Sequence, residues 1–205
     1  MNLILASQSP RRKELMGLFH IPFVIRVSDA DETMDPDLTA AEAVAQVSRR
    51  KAEAVARDAD DVVIAADTIV VCGGEILGKP KDTADASRML HLLSGRDHQV
   101  MTGMTLLRGE ISLTHTEITD IHFRQLSDRE IDAYIRTGEP MDKTGGRVWN
   151  THNGHQPEWY DKAGSYAIQG MAAKFVKRIE GDFYNVVGLP VSRLWQMLKE
   201  FGIDI

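Results

Sequence analysis

The run VVIAADTIVV, residues 62–71, constrains the fold more than any other stretch. β-Branched and small apolar residues follow one another without polar alternation, the pattern of a strand covered on both faces. Such a strand needs helices on its sheet, and the flanking segments supply them. NLILA (2–6) reads as a second buried strand and PFVIRVS (22–28) as a third. SPRRKELMGLF opens a helix with Ser9 as N-cap and Pro10 at the first helical position. TAAEAVAQVSRRKAEAVARD (39–58) is a helix with Thr39 and Glu42 as capping box, its apolar face drawn from Ala43, Val44, Val47, Ala54 and Val55.

Downstream, EILGKP reads as a short strand or turn and DASRMLHLLS (85–94) as a helix. HQVMTGMTLLRG and EISLTHTEITDIHFRQL are two long strands joined near Gly109-Glu110. SDREIDAYIRT is a helix capped by Ser127 and Glu130. GSYAIQG, AAKFVKRIEG and DFYNVVG read as strands, and PVSRLWQMLKEFG as a closing helix. Alternating strands and helices with antiparallel pieces argue an α/β fold around a mixed β-sheet.

The length of 205 residues, 43% hydrophobic and 26% charged, fits one soluble domain or two small lobes sharing a core. The net charge of −6 argues against broad binding to nucleic acid or an anionic membrane, while leaving room for a local basic pocket. The one cysteine, Cys72, excludes an internal disulfide and a cysteine zinc site, and it reads as packing rather than nucleophile. No apolar run is long enough to span a bilayer, and MNLILASQSPRR lacks a basic leader, so a cytoplasmic protein is expected.

Several residues could carry chemistry. The start of the SPRR helix offers free N–H groups and a positive dipole end, and Arg11 and Arg12 sit there against the dipole. That placement points to a bound anion such as phosphate; a solvated basic turn is the alternative. Asp67 interrupts the apolar strand, and a buried carboxylate needs a metal, a cation or hydrogen bonds. It is read as a metal ligand or general base at a strand end, against an Asp satisfied by backbone N–H groups. Glu32, in the acidic loop DADE, is the second carboxylate that a Mg²⁺ site wants; otherwise it is part of a solvated loop. Lys51 lies in a helix rich in basic residues, where a solvated face is the plain reading. Lys79 sits between Gly and Pro on a turn that could present an ammonium to phosphate. His91, His98, His115 and His122 are scattered and read as structural or exposed. Neither G-x-x-x-x-G-K-[ST] nor G-x-G-x-x-G is present, which disfavours a kinase or a Rossmann dehydrogenase. The set is that of a metal-assisted phosphate site.

LILASQSPRRKEL, VIAADTIV, LGKPKD, MLHLLSGRDHQVMTG, GEPMDK, DKAGSYAIQG and FYNVVGLP closely resemble the Maf family of house-cleaning nucleoside triphosphate pyrophosphatases. The resemblance implies one two-lobed domain over residues 1–205, a mixed β-sheet flanked by helices similar to that of the inosine triphosphate pyrophosphatases. It implies hydrolysis of a nucleoside triphosphate to monophosphate and pyrophosphate with a divalent metal, Mg²⁺ or Mn²⁺. Arg11, Thr68 and Gln169 match the branch acting on dTTP and UTP. The residue matching Asp67 is the family's proposed proton acceptor, and those matching Ser7, Arg12, Glu32, Lys51 and Lys79 lie around the phosphates and metal. Glu32 and Asp67 are the implied metal ligands. Family members are often homodimers, and some are linked to arrest of septum formation. Pyrophosphatases for modified bases, and a nucleotide-binding regulator that senses without hydrolysing, are the alternative readings.

One feature departs from the family pattern. GEPMDK and DKAGSYAIQG are pulled apart by an insertion at about 143–161, so Asp-Lys occurs twice. Asp161-Lys162 is taken as the substrate-binding copy, because its spacing to Gln169 is intact. Lengthening a loop costs only about 0.6 kcal/mol per doubling, so a passive extension is enough to explain the insertion. Trp149, Trp159 and Tyr160 within it keep a flap near the base pocket or a dimer contact as the alternative reading.

Overall fold

A computed structural model describes residues 1–140 and 163–203. The element order is β1 (Leu3–Ala6), α1 (Pro10–Gly17), β2 (Val24–Ile25), α2 (Ala40–Val55), β3 (Val62–Cys72), β4 (Glu75–Leu77), α3 (Thr83–Leu93), β5 (Asp97–Arg108), β6 (Ile111–Phe123) and α4 (Asp128–Ile135). After residue 162 come two 3-10 turns (Ala163–Ser165 and Met171–Phe175), β7 (Val176–Glu180), α5 (Phe183–Val187) and α6 (Val191–Glu200). Among the described residues the strands form one seven-stranded mixed sheet, ordered β2-β1-β3-β5-β6-β7 with β4 on β3. β1 runs parallel to both β2 and β3, whereas β3–β4 and β6–β7 are antiparallel.

The described residues divide into two compact units. The first comprises Met1–Thr68, Val100–Thr119 and Gly181–Ile205, and the second Ile69–Gln99 and Asp120–Glu180.

The first unit is built on the parallel pair. β1 matches β3 from Leu3↔Val62 to Ala6↔Ala65, and there β1 ends. Because side chains alternate along a strand, Val63 and Ala65 share a face with Ile4 and Ala6, and α2 covers that face with Ala52 and Val55. The helix buries Val44, Val47, Ser48, Lys51, Ala52 and Val55, a stripe at steps of three and four. Ala54, expected on that stripe, is exposed instead, and Ala52 takes its place. α2 also lies close on β5. A Cβ at Gly103 would stand 2.5 Å from the carbonyl oxygen of Val44, so this approach requires glycine. The capping box forms as expected, with Thr39 Oγ1 accepting from the Glu42 amide at 3.3 Å and Glu42 accepting from the Thr39 amide at 2.9 Å. PFVIRVS yields only the two-residue strand Val24–Ile25, and both of its residues are exposed.

The second unit centres on an aromatic group of His98, Phe123, Tyr134, Tyr166 and Phe175, packed edge to face at centroid separations of 4.8–6.1 Å. Two expected strands are absent here and in the first unit. GSYAIQG is a 3-10 turn followed by a bend, because Gly164 and Ser165 both adopt left-handed backbone, φ 70° and 63°. DFYNVVG is helix α5. Asp182 caps it by accepting from the Tyr184 amide at 2.7 Å, and Gly188 ends it in the left-handed region at φ 119°. No helix among the described residues is long and apolar enough to cross a membrane.

Candidate active site

Parallel pairing with β1 stops at Ala65, so on that side β3 runs on past the carboxyl end of β1. Asp67 lies on the stretch beyond β1. It is an interior residue of β3 rather than the strand terminus that the sequence implied. Positions 63, 65 and 67 share one face, and that face is under α2. The carboxylate is therefore aimed at the helix whose buried stripe includes Lys51. Lys51 Nζ donates to Asp67 Oδ1 at 2.6 Å and stands 2.8 Å from Glu32 Oε1. Its side chain is 9% exposed, Asp67 13% and Glu32 52%, so this pair of contacts runs from the interior to solvent. Lys51 is thus buried against Asp67 and not part of a solvated face. The structural reason is the helical stripe at 44, 47, 48, 51, 52 and 55, which puts residue 51 inward.

Glu32 sits on the loop before α2, and Arg50 grips that loop on both sides of it. Arg50 donates to the carbonyl of Thr33 and stands 3.8 Å from Asp31 Oδ2. Neighbouring residues of one helix turn therefore divide the work: Lys51 takes the Glu32 carboxylate and Arg50 its backbone neighbourhood. Sequence reasoning missed Arg50, which carries no motif of its own.

The other face of β3 carries Thr68. Here Arg12 comes in from the first turn of α1, buried. Its Nε donates to the carbonyl of Gly188 at 2.8 Å and its Nη2 to Thr68 Oγ1 at 3.0 Å, with Nη1 3.5 Å from Ser7 Oγ. Burial lowers the pKa of Arg12 from its ordinary value, and the negative charges of Asp67 and Glu32 act in the opposite direction. Arg12 thus ties the β1–α1 turn, β3 and the end of α5 together. Ser7, also buried, accepts from the Ser9 amide at 3.1 Å and shapes that turn. Arg11 is half-buried in the same first turn of α1.

Behind Thr68 lies Thr102 of β5, fully buried, and then Asn185 of α5, also fully buried. Thr68 Oγ1 and Thr102 Oγ1 are 2.9 Å apart, and Thr102 donates to the Asn185 carbonyl at 3.1 Å. The Asn185 amide group donates to the Val100 carbonyl at 3.0 Å and to Thr119 Oγ1 at 2.9 Å, locking α5 onto β5 and β6. Neither Thr102 nor Asn185 was signalled by the sequence beyond being polar residues in apolar surroundings.

Chemically, the first unit thus presents two carboxylates sharing one ammonium, beside a helix start bearing two arginines. A family model for Maf-like proteins matches residues 2–201. The dTTP/UTP pyrophosphatase of Bacillus cereus strain AH187 is 44% identical over 204 residues, 99% of this chain and 97% of that protein. The dTTP/UTP pyrophosphatase of Bacillus anthracis is similar to the same extent. The chain belongs to the Maf family. As a Maf protein it is a nucleoside triphosphate pyrophosphatase, a hydrolase. Among solved structures, a HAM1 protein from Coxiella burnetii covers 98% of this chain and 99% of that chain at 14% identity and TM-score 0.46, too slight a likeness to carry an argument.

Of the residues that the Maf resemblance singled out, Glu32, Lys51 and Asp67 meet on one face of β3 and Ser7, Arg12 and Thr68 on the other, all in the first unit. Lys79 lies in the second unit on the exposed turn between β4 and α3. Gln169 is exposed in the same unit, on the bend before the 3-10 turn Met171–Phe175. Asp161, Lys162 and the insertion at about 143–161 lie outside the described residues, apart from that unit's account. Among the described residues no group of three or more His, Cys, Asp and Glu side chains converges as a metal cluster. An apolar cleft of about 330 Å³, lined by residues such as Leu3, Phe23, Val62 and Ile203, includes none of the site residues. Cys72 is buried, and burial pushes its thiol up, which fits packing rather than nucleophilic attack.

Proposed function

We propose that this Maf protein hydrolyses dTTP and UTP to the nucleoside monophosphate and pyrophosphate, with Asp67 as the proton acceptor for the attacking water. The observation that carries the reading is the placement of Asp67: a carboxylate on an otherwise apolar strand, beyond the carboxyl end of its parallel partner and held by one buried ammonium. Ligands of open α/β sheets bind outside such strand ends.

The donor set fits a divalent cation of the Mg²⁺ or Mn²⁺ kind. Glu32 and Asp67 face a common point, marked by Lys51 Nζ, and one or two carboxylates plus substrate phosphates are what such an ion takes. When bound, the ion would supply charge neutralisation on the phosphates. The protein's own residues do the rest. Asp67 accepts the water's proton while Lys51 fixes the direction of its carboxylate. Arg11 and the first turn of α1 attract the polyphosphate, and Arg12 holds the turn that presents them. Thr68 is assigned to the base.

The test is a panel of nucleoside triphosphates incubated with the protein and Mg²⁺ or Mn²⁺, with released pyrophosphate measured. Pyrophosphate and monophosphate from dTTP and UTP ahead of the other bases support the reading. Orthophosphate and a diphosphate as products would contradict it.

A further inference from the structure

Thr68 Oγ1 touches two groups, Thr102 and Arg12, and the donor and acceptor roles along this chain can be assigned. The backbone carbonyl of Asn185 can only accept, so the single hydroxyl proton of the buried Thr102 is directed to it, at 3.1 Å. Thr102 Oγ1 then has only lone pairs to offer Thr68 Oγ1, 2.9 Å away. Thr68 must donate across that contact. On its other side Arg12 Nη2, which can only donate, gives a hydrogen bond to Thr68 Oγ1 at 3.0 Å. The chain thus runs one way, from Arg12 through Thr68 and Thr102 to the Asn185 carbonyl. Reversing the Thr68–Thr102 link would leave Thr102 and the carbonyl as two oxygens 3.1 Å apart with no proton between them, in the interior.

We propose that Thr102 is a positioning residue that fixes the Thr68 hydroxyl with its proton turned inward, so that Thr68 meets a substrate base as an acceptor only and selects a ring N–H. The inference rests on the dTTP/UTP reading above. Thymine and uracil share an N3–H donor, whereas cytosine has a bare N3 acceptor in its place. Thr68 is only partly buried, and one oxygen lone pair remains after the Arg12 contact. That lone pair accepts N3–H and is repelled by the lone pair of cytosine N3. Freed from Thr102, the hydroxyl could turn its proton outward and donate to cytosine. The base preference is then set by a buried side chain that touches no substrate.

The experiment compares kcat and KM for UTP and CTP in the wild type, Thr102→Val and Thr102→Ser, with thermal unfolding to confirm the fold. Thr102→Val, equal in shape and without the hydroxyl, is expected to raise CTP relative to UTP in kcat/KM by about tenfold, mainly through KM. Thr102→Ser restores the donor and the wild-type ratio. An unchanged ratio in folded Thr102→Val, or a Thr102→Ser that behaves like Thr102→Val, overturns the proposal. Should Thr102→Val not fold, UTP and N3-methyl-UTP are compared in the wild type and Thr68→Val. The wild type should favour UTP by about tenfold or more and Thr68→Val should narrow that gap; an equal gap in both overturns the proposal. A wild type that releases no pyrophosphate from UTP or dTTP overturns the reading beneath it, a result distinct from normal release with unaltered selectivity.

Discussion

Lys51 Nζ and Asp67 Oδ1 are 2.6 Å apart, joining the buried stripe of α2 to the one charged residue of β3. Both faces of this contact follow from periodicity: step two along β3 carries 63, 65 and 67 to the α2 side, and steps of three and four along α2 carry Lys51 inward. The same ammonium holds Glu32 at 2.8 Å, so two carboxylates share one cation.

Removing that cation leaves two negative charges facing each other. Lys51→Met is expected to lower stability by about 2–3 kcal/mol, less than a fully buried pair would cost because Glu32 is half exposed. Urea unfolding in a chelator measures it. If Glu32 and Asp67 hold a divalent ion, millimolar Mg²⁺ recovers part of the loss, since a ligand bound to the native state stabilises it. A loss independent of Mg²⁺ would count against the metal assignment.

Arg50→Ala releases the loop on either side of Glu32 while removing only partly exposed contacts. Stability should change by less than about 1 kcal/mol. The expected effect is functional, with the Mg²⁺ concentration for half-maximal activity rising several-fold. A metal titration of activity checks this.

Gly103→Ala places a Cβ 2.5 Å from the Val44 carbonyl oxygen, so α2 must shift off β5. Overpacking of this kind costs about 1–3 kcal/mol. Because the displaced helix carries Lys51, turnover should fall with Tm. Thermal unfolding and kcat on one preparation separate this from a neutral substitution.

His98 gives the protein a specific acid response. It is buried beside Tyr166, its Nε2 2.9 Å from the phenolic oxygen, and burial lowers its pKa from 6.5 to about 4. The unfolded chain therefore binds the proton more readily than the folded one. Stability is unaffected by this group above pH about 6.5 and falls between there and pH about 4, with a limiting slope of about 1.4 kcal/mol per pH unit. His98→Leu should flatten that part of the curve, whatever it does to stability at pH 7. Urea midpoints taken from pH 7 to pH 4 test it.

Much of the site was legible because its residues interrupt regular patterns. Asp67 stands out in an apolar strand, and Ser9-Pro10 announces a helix start. Lys51 was named as a candidate cation, but a solvated face was its plain reading; counting from Val44 and Val47 puts it on the inward stripe, which the neighbouring basic residues obscured. The strand reading of DFYNVVG followed β-propensity in Phe, Tyr and Val, where tertiary burial and the caps Asp182 and Gly188 prevail. GSYAIQG failed likewise, because the left-handed backbone at Ser165 has no signature in residue type. Thr102 and Asn185 were out of reach: their roles come from contacts 34 and 83 positions apart in the chain.

The central claim is that Asp67 takes the proton from the attacking water. The most direct measurement is kcat for pyrophosphate release from dTTP by Asp67→Asn beside the wild type, at saturating substrate and metal, with the fold checked by Tm. The amide keeps the shape but cannot accept the proton, so kcat should fall by about 10²–10⁴. A folded Asp67→Asn protein turning over dTTP at the wild-type rate would contradict it.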